Sequence, residues 1–499
     1  MQTNISSTCN NISHYGYLKD RRILERNVQK AKFKHSSNPT SNQRDLLVQA
    51  EAELKKFLKN NIFKTILCQM PEIFGKLIDF ISLVKGAINI RGNIFAHKES
   101  FKLTSLASKK FAELKFNVDG EELSFSEVGS RLSVEKDIEK RDSLYLSLLE
   151  TFNTFEPEMR SLILKRNKIA KKMGYKNFYE YQLKVFGTSE EEVSKIIKEY
   201  CQKTDIKSAI QKRKEIVAKH YNTDIDKLTF AQITTSLSKL TKIDDYIQTT
   251  EKIYSITKDV YKRMGFDIDN LEQEEKIVYD LRPRNNKISR GICRNLIKGD
   301  MVGIEAQLNS GERDFTILMH EMGHGLHMLG SSNFLPKRLK QPKAHMTEAI
   351  ALMFEALKYR ESIFDDIAPK KVLDEFKEYA QLDEINDVVN LIVKAEFESE
   401  IYKNPNQDFG KLYGKIYQKY TQDNQKENAW FVLHLLVSPG YIQNYIRGFV
   451  LERRIYDAAR EKLGTELSQN PKTADFLTKR IFKFGKLIDE KLLSLTLKL

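Results

Sequence analysis

Positions 320–324 read His-Glu-Met-Gly-His, and this run constrains the chain more than any other because its spacing has chemical use only on a helix. Residues four apart stand one above the other on an α-helix, so His320 and His324 can offer imidazole nitrogens to one ion. Glu321 then stands beside the ion's open position, where it can take a proton from an attacking water. A third ligand has to come from elsewhere. Glu348, 24 positions after His324, opens a second helix-forming run, Glu348-Ala-Ile-Ala-Leu-Met-Phe-Glu355-Ala-Leu, which is apolar apart from two glutamates two turns apart on one face. Glu348 is the candidate third ligand, and Glu355 is the candidate to orient a histidine from behind. Two histidines and one glutamate favour a single zinc ion over cobalt or manganese. The fourth place is left to water, whose pKa on zinc can fall to about 7.

The blander reading of such a pentad is a solvated helix face with a salt-bridging glutamate. Its surroundings argue otherwise. Phe315, Ile317, Leu318, Met319 and Met322 enclose the pair in apolar residues, where two histidines and a glutamate with no common partner would be costly. Upstream, Met301–Leu308 sets Val302, Ile304, Ala306 and Leu308 against Gly303, Glu305 and Gln307, which is strand periodicity. Lys276–Leu281 is the candidate partner strand, and Asn309-Ser310-Gly311 reads as a turn into the helix.

The segment Phe315–Leu329, FTILMHEMGHGLHML, resembles the core of the thimet oligopeptidase and oligopeptidase F family of gluzincin metallopeptidases, and its pentad is also similar to that of angiotensin-converting enzyme. In that group the third ligand is a glutamate on a later helix, as the position of Glu348 implies. The stretch Asp280-Leu-Arg-Pro-Arg-Asn-Asn-Lys-Ile-Ser-Arg-Gly291 resembles a family block that precedes the active-site strand. Trp430, His434 and Pro439-Gly-Tyr441-Ile-Gln-Asn-Tyr445 resemble a later one. The run Arg166-Asn-Lys-Ile-Ala-Lys-Lys-Met-Gly-Tyr-Lys-Asn-Phe is similar to a helix ahead of the catalytic half. The resemblance spans roughly residues 160–450. It implies that His434 and Tyr441, with Tyr445 as the competing tyrosine, donate hydrogen bonds to substrate and to a developing oxyanion. Two positions depart from the pattern. Gly448 stands where a further tyrosine is common, and Leu352 stands where angiotensin-converting enzyme has an aspartate, which leaves Glu355 to support the ligands. His327 and His345 read as structural groups or as partners of ligands.

Only 10 prolines and 22 glycines in 499 residues leave long stretches free of helix breakers, so the fold class is mainly α. Asp45–Asn60 and Ser189–Lys203 carry amphipathic stripes. The resemblance implies a two-lobed helical body with a deep central cleft and a small β-sheet beside the active-site helix. We expect one continuous body built from an N-terminal portion (1–150), a middle portion (151–275) and a zinc-bearing portion (276–499). Loops are expected at His35–Arg44, Asn117–Ser130 and Ala368–Lys370, with the amphipathic Leu18–Phe33 covering the cleft or packing outside it.

A formal charge of +14 raises the question of nucleic acid. No helix-turn-helix, zinc-finger, RNP or KH signature is present, and lysines alternate with glutamates, so no nucleic-acid partner is expected. The run MQTNISSTCNNISHYGYLKDRR has no apolar core of the secretory type, and Ile73–Ile90, the most apolar stretch, is broken by Lys76, Asp79 and Lys85. No membrane partner is expected either. Cys9, Cys68, Cys201 and Cys293 are scattered, which suits reduced thiols in the cytoplasm. Nothing in the sequence sets an oligomeric state.

The resulting expectation is a zinc metalloendopeptidase acting on short oligopeptides, with an extended peptide added to the exposed edge of the strand Val302–Leu308. A metallocarboxypeptidase is the runner-up, although the HESQS block of the carboxypeptidase Taq family is replaced here by Met346-Thr-Glu348-Ala-Ile. A helical binding protein that retains an inactive site is the alternative from another class.

Overall fold

The computed structural model describes residues 12–37, 41–60, 99–135, 137–282, 291–308, 311–331, 333–422, 429–431 and 433–497. The turn at Asn309-Ser310, residues 283–290 of the block beginning at Asp280, Ile73–Ile90, Cys9 and Cys68 lie outside them. Most described residues are helical, as the scarcity of proline and glycine implies.

Helix α1 (Ile12–Ser37) packs along α2 (Ser41–Asn60), which contains the Asp45–Asn60 stripe. The expected loop at His35–Arg44 is therefore partly helical, since the first helix runs through Ser37 and the second begins at Ser41, and residues 38–40 lie outside the described residues. Asn117–Ser130 also departs from expectation. Strands β1 (Phe116–Val118) and β2 (Glu121–Leu123) form an antiparallel hairpin there, turning on Asp119-Gly120, and Ser124 caps a helix over Phe125–Val134. Helices α3 (Ile138–Lys172) and α4 (Phe178–Val185) follow, and residue 150 falls inside α3.

Beyond α5 (Thr250–Arg263) comes a three-stranded sheet of β3 (Ile277–Asp280), β4 (Ile292–Ile297) and β5 (Met301–Glu305) in the order β3-β5-β4. Strand β3, the expected partner, runs parallel to β5, and β4 runs antiparallel to it. The alternation in β5 does not mark one wet face, since every residue of the strand is buried. Val302 and Ile304 face α6 (Glu312–Leu329), whereas Gly303 faces the Phe33 ring of α1. Glu305 is buried with Arg294 3.7 Å away. The Leu18–Phe33 arm therefore packs on the sheet face turned away from α6. A correction also follows for substrate docking: β5 is paired on both sides and offers no edge to a peptide.

The chain continues through α7 (Ala344–Arg360), a break at the expected Ala368–Lys370, α8 (Lys370–Lys403), α9 (Phe409–Thr421), the short α10 (Leu433–Val437) and α11 (Ile442–Leu463). Two large apolar cores result. One is built from α5, the sheet, α6, α7 and the C-terminal half of α11; the other is built from α3, α4, α9, Trp430 and α10. Helix α8 belongs to both. Leu373, Phe376 and Ala380 enter the first core, and Val389, Val393, Phe397 and Ile401 enter the second. No helix among the described residues is long and apolar enough to cross a membrane.

Phe33 is 3% exposed and is the side chain that seats α1 on the sheet. Phe33→Ala should lower stability by about 3 kcal/mol. Thermal denaturation would show it; an unchanged melting temperature would mean that Phe33 contributes no docking energy.

Candidate active site

Two helices bring the expected ligands together because glycine lets them approach closely. A Cβ at Gly323, inside the pentad, would lie 2.8 Å from the Phe354 ring and 3.2 Å from the Ala351 backbone of α7. At this separation the Nε2 atoms of His320 and His324 lie 3.6 and 3.7 Å from the same Glu348 oxygen. One ligand atom from each of the three residues falls within 4.8 Å of the others. Zinc–nitrogen bonds of about 2.1 Å in a tetrahedron set ligand atoms about 3.4 Å apart, so the spacing suits one small divalent ion with a vacant fourth position.

The electrostatics suit a cation too. Glu348 is 3% exposed, and its Oε2 has no hydrogen-bond partner, nor has His324 Nδ1. Burial raises the Glu348 carboxyl above its ordinary value, with His320 and the Tyr441 hydroxyl pulling the other way. Burial alone would lower His320, but the Glu355 hydrogen bond and the charges of Glu321, Glu348 and Glu355 push it up to about 9. Three carboxylates around one cluster call for positive charge, and a divalent ion would supply it. Glu355 Oε2 lies 3.2 Å from His320 Nδ1, which directs Nε2 toward the cluster.

Glu321 is held apart from the ligand set. Burial pushes its carboxyl up to about 7, with the Glu348 charge acting in the same direction, while His320 and the Cys293 backbone amide lower it. The approach of β4 makes that amide available. Gly291, just ahead of β4, leaves space for both Ile317 and the carboxylate, since a Cβ there would lie 2.5 Å from Ile317 Cγ2, 2.6 Å from Glu321 Cγ and 2.8 Å from Glu321 Oε1. Neither Gly291 nor the Cys293 amide stands out in the sequence as a site feature; the position of Gly291 at the end of the block beginning at Asp280 is the one available signal.

The later block closes the site from the other core. The Tyr441 hydroxyl donates to Glu348 Oε1 at 2.7 Å. The His434 ring lies 5.8 Å from that of Tyr441 and 5.9 Å from that of Tyr445, so the three named aromatic groups form one cluster. Gly448 packs on α7, where an added Cβ would lie 3.0 Å from Glu348 Cβ and 3.1 Å from Leu352. A tyrosine has no room there in this packing. His327 and His345 stay outside the cluster. His327 is fully buried and stacked on Phe482 at 4.8 Å, and His345 Nε2 lies 3.3 Å from Arg447.

A mostly helical body with a small sheet and a two-histidine, one-glutamate cluster beside a further glutamate defines a class, the helical metallopeptidases. The model of peptidase family M3 matches residues 133–446, more than half of the sequence, and the chain belongs to that family. This agrees with the resemblance to the thimet oligopeptidase and oligopeptidase F group. Among solved structures, PZ peptidase A with an inhibitor is similar at TM-score 0.63 and 17% identity, covering 96% of this chain and 93% of that one. A Bacillus anthracis protein assigned as an oligoendopeptidase F gives TM-score 0.59 at 16% identity, with 96% and 92% covered. The M32 carboxypeptidase of Deinococcus radiodurans gives TM-score 0.56 at 13% identity, with 98% and 96% covered. These likenesses concern the fold. No curated protein sequence matches the chain.

Gly291→Ala should displace the Glu321 carboxylate without touching a ligand, cutting peptide hydrolysis by roughly 100-fold while metal content stays unchanged. Steady-state kinetics with metal analysis would check both halves. A second expectation concerns acid. Burial lowers His327 from 6.5 to about 3, so between those pH values the unfolded chain binds a proton that the folded chain refuses. Stability should therefore fall as pH drops below about 6.5, and His327→Phe should remove about 1.4 kcal/mol per pH unit from that slope. Denaturant titrations at pH 6.5 and 5 would reveal equal slopes if the ring titrates normally.

Proposed function

We propose that this M3 metallopeptidase is a zinc-dependent oligopeptidase that cuts internal bonds of short peptides, with His320, His324 and Glu348 holding one ion. The convergence of those three side chains, one ligand atom from each within 4.8 Å of the others, carries the reading. The bound ion would polarise the scissile carbonyl and lower the pKa of the attacking water.

The chain's own residues account for the remaining work. Glu321, next to His320 in the chain and in a buried site that raises its basicity, would take the proton of the attacking water and return it to the leaving amine. Tyr441 and His434 are aromatic donors on the opposite wall, and movement of the Tyr441 hydroxyl from Glu348 to the substrate would bring a hydrogen bond to the oxyanion as charge develops. Tyr445, whose ring lies 5.5 Å from that of Tyr441, is the competing donor. The peptide would be held along β4. Among the described residues this strand is paired only with β5, and its first residues run beside Glu321. Backbone pairing of this kind reads main chain more than side chains, which suits varied oligopeptides. We place the enzyme in the cytoplasm, acting on peptides with no nucleic-acid or membrane partner; Cys201 and Cys293 are both free thiols.

The likeness to an M32 carboxypeptidase favours a second reading, stepwise removal of C-terminal residues by the same machinery. Mass spectrometry of a ten-residue peptide digest separates the two, since internal cuts support the endopeptidase and a ladder from the C-terminus supports the alternative. Glu321→Gln should retain the metal and lose activity by about 10³-fold, within the range for removal of a general base. Chelation should abolish wild-type cleavage and added zinc should restore it. Full activity in Glu321→Gln would end the proposal.

A further inference from the structure

Two fully buried charged groups outside the ligand cluster both grip the same short segment of chain. Arg166, on α3 and 0% exposed, directs Nη1 to the Leu435 carbonyl and Nη2 to the Leu436 carbonyl, each at 2.7 Å. Its remaining hydrogen bonds go to the Tyr402 hydroxyl at 3.2 Å and Thr104 Oγ1 at 2.7 Å. Glu398, on α8 and also 0% exposed, accepts the Gly440 amide at 2.7 Å through Oε1, while its Oε2 has no hydrogen-bond partner.

These two grips lie at the ends of one turn. Leu435 and Leu436 belong to α10, which carries His434, and Gly440 immediately precedes Tyr441. Between them, Gly440 adopts a left-handed φ of 72° and the Tyr441 amide bonds to the Ser438 carbonyl, which turns the chain from α10 into α11. A guanidinium on the carbonyls of a helix end matches the local backbone dipole, and the carboxylate takes the amide just ahead of the Tyr441 N-cap of the next helix. Burying a carboxylate with a single hydrogen bond is nonetheless expensive. Burial pushes Glu398 up to about 7, against the pull of the Gly440 amide and Arg166.

We propose that Arg166 and Glu398 are positioning residues that clamp the His434–Tyr441 segment from the second core, so that the Tyr441 hydroxyl meets the metal-ligand cluster built on the first. Glu398 fixes the point from which Tyr441 departs, one residue beyond its own hydrogen bond. Arg166 fixes the α10 end and, through Tyr402, ties it to α8, the helix that carries Glu398.

This inference rests on the peptidase reading of the site, and the experiment keeps the two apart. Wild type and Glu321→Gln establish that reading by themselves. Against them, Glu398→Leu removes the acceptor, and Glu398→Gln keeps an oxygen for the Gly440 amide. Glu398→Leu should lower kcat by roughly 10- to 100-fold with KM within about twofold, because the lost alignment matters at the transition state. Its melting temperature should fall by only about 4 °C, since the desolvation cost relieved by removing the carboxylate offsets part of what the unpaired Gly440 amide and Arg166 charge lose. Glu398→Gln should recover kcat to within about threefold of wild type. A second arm needs no activity. Trp430, the only tryptophan, is buried four residues before His434, and acrylamide quenching of its fluorescence should rise at least about twofold in Arg166→Lys, which loses the two-pronged grip. Wild-type kcat in Glu398→Leu overturns the proposal, as does a parallel collapse of kcat and melting temperature in both Glu398 variants. Unchanged Trp430 quenching in Arg166→Lys does so independently.

Discussion

The site depends on how closely α7 is held between two other helices. Gly323 removes the side chain that would separate α6 from α7, and Gly448 does the same between α7 and α11. Glu348 lies in the resulting sandwich, with two imidazoles on one side and the Tyr441 hydroxyl on the other. A larger residue at either glycine would shift α7 by a fraction of a side chain, and that is comparable to the tolerance of a metal–ligand bond. Close packing of apolar neighbours such as Ala349, Met353 and Phe354 then makes the position rigid, because a dense core cannot absorb small displacements.

Much of this can be read from the sequence because it is local. The i, i+4 spacing of His320 and His324 specifies a helix, and the apolar run around Glu348 specifies another. The seven-residue interval from Glu348 to Glu355 predicts that both face the same way, and in the structure one reaches the cluster while the other reaches His320 Nδ1. His434, Tyr441 and Tyr445 are recognisable only through resemblance, since an aromatic residue at helical spacing is ordinarily part of a core. What stays hidden is non-local. Periodicity assigns a residue of β5 to a face but says nothing about which edge of the strand is free. Gly303 and Glu305 share one face by periodicity, and in the structure one lies against Phe33 and the other is buried. The Cys293 amide on Glu321 and the grips of Arg166 and Glu398 join positions far apart in the chain, and a single sequence has no pattern that links them. The hairpin at Asp119-Gly120 is different, because its turn signal is present in the sequence and polar composition masks the short strands on either side.

The two cores divide the chemistry between them. His320, His324, Glu321 and Glu348 stand on helices of the first, while α10 and its aromatic donor come from the second. Neither core holds a complete site. On the proposed reading, the surface along which the cores meet is where the reacting groups must align, so the relative position of the cores and catalytic alignment are not independent variables in this fold. The hydrogen bond from Tyr441 to Glu348 crosses that seam at the site itself.

Helix α8 passes from one core into the other as 34 continuous residues, about 50 Å of unbroken hydrogen-bonded rod. Along this connection there is no hinge loop, so the cores can part only by flexing the rod or by sliding past its middle. A bent rod resists in proportion to its curvature. Along this route the two cores are mechanically coupled, since a displacement at one end of the rod is carried to the other end and finds no flexible joint to absorb it.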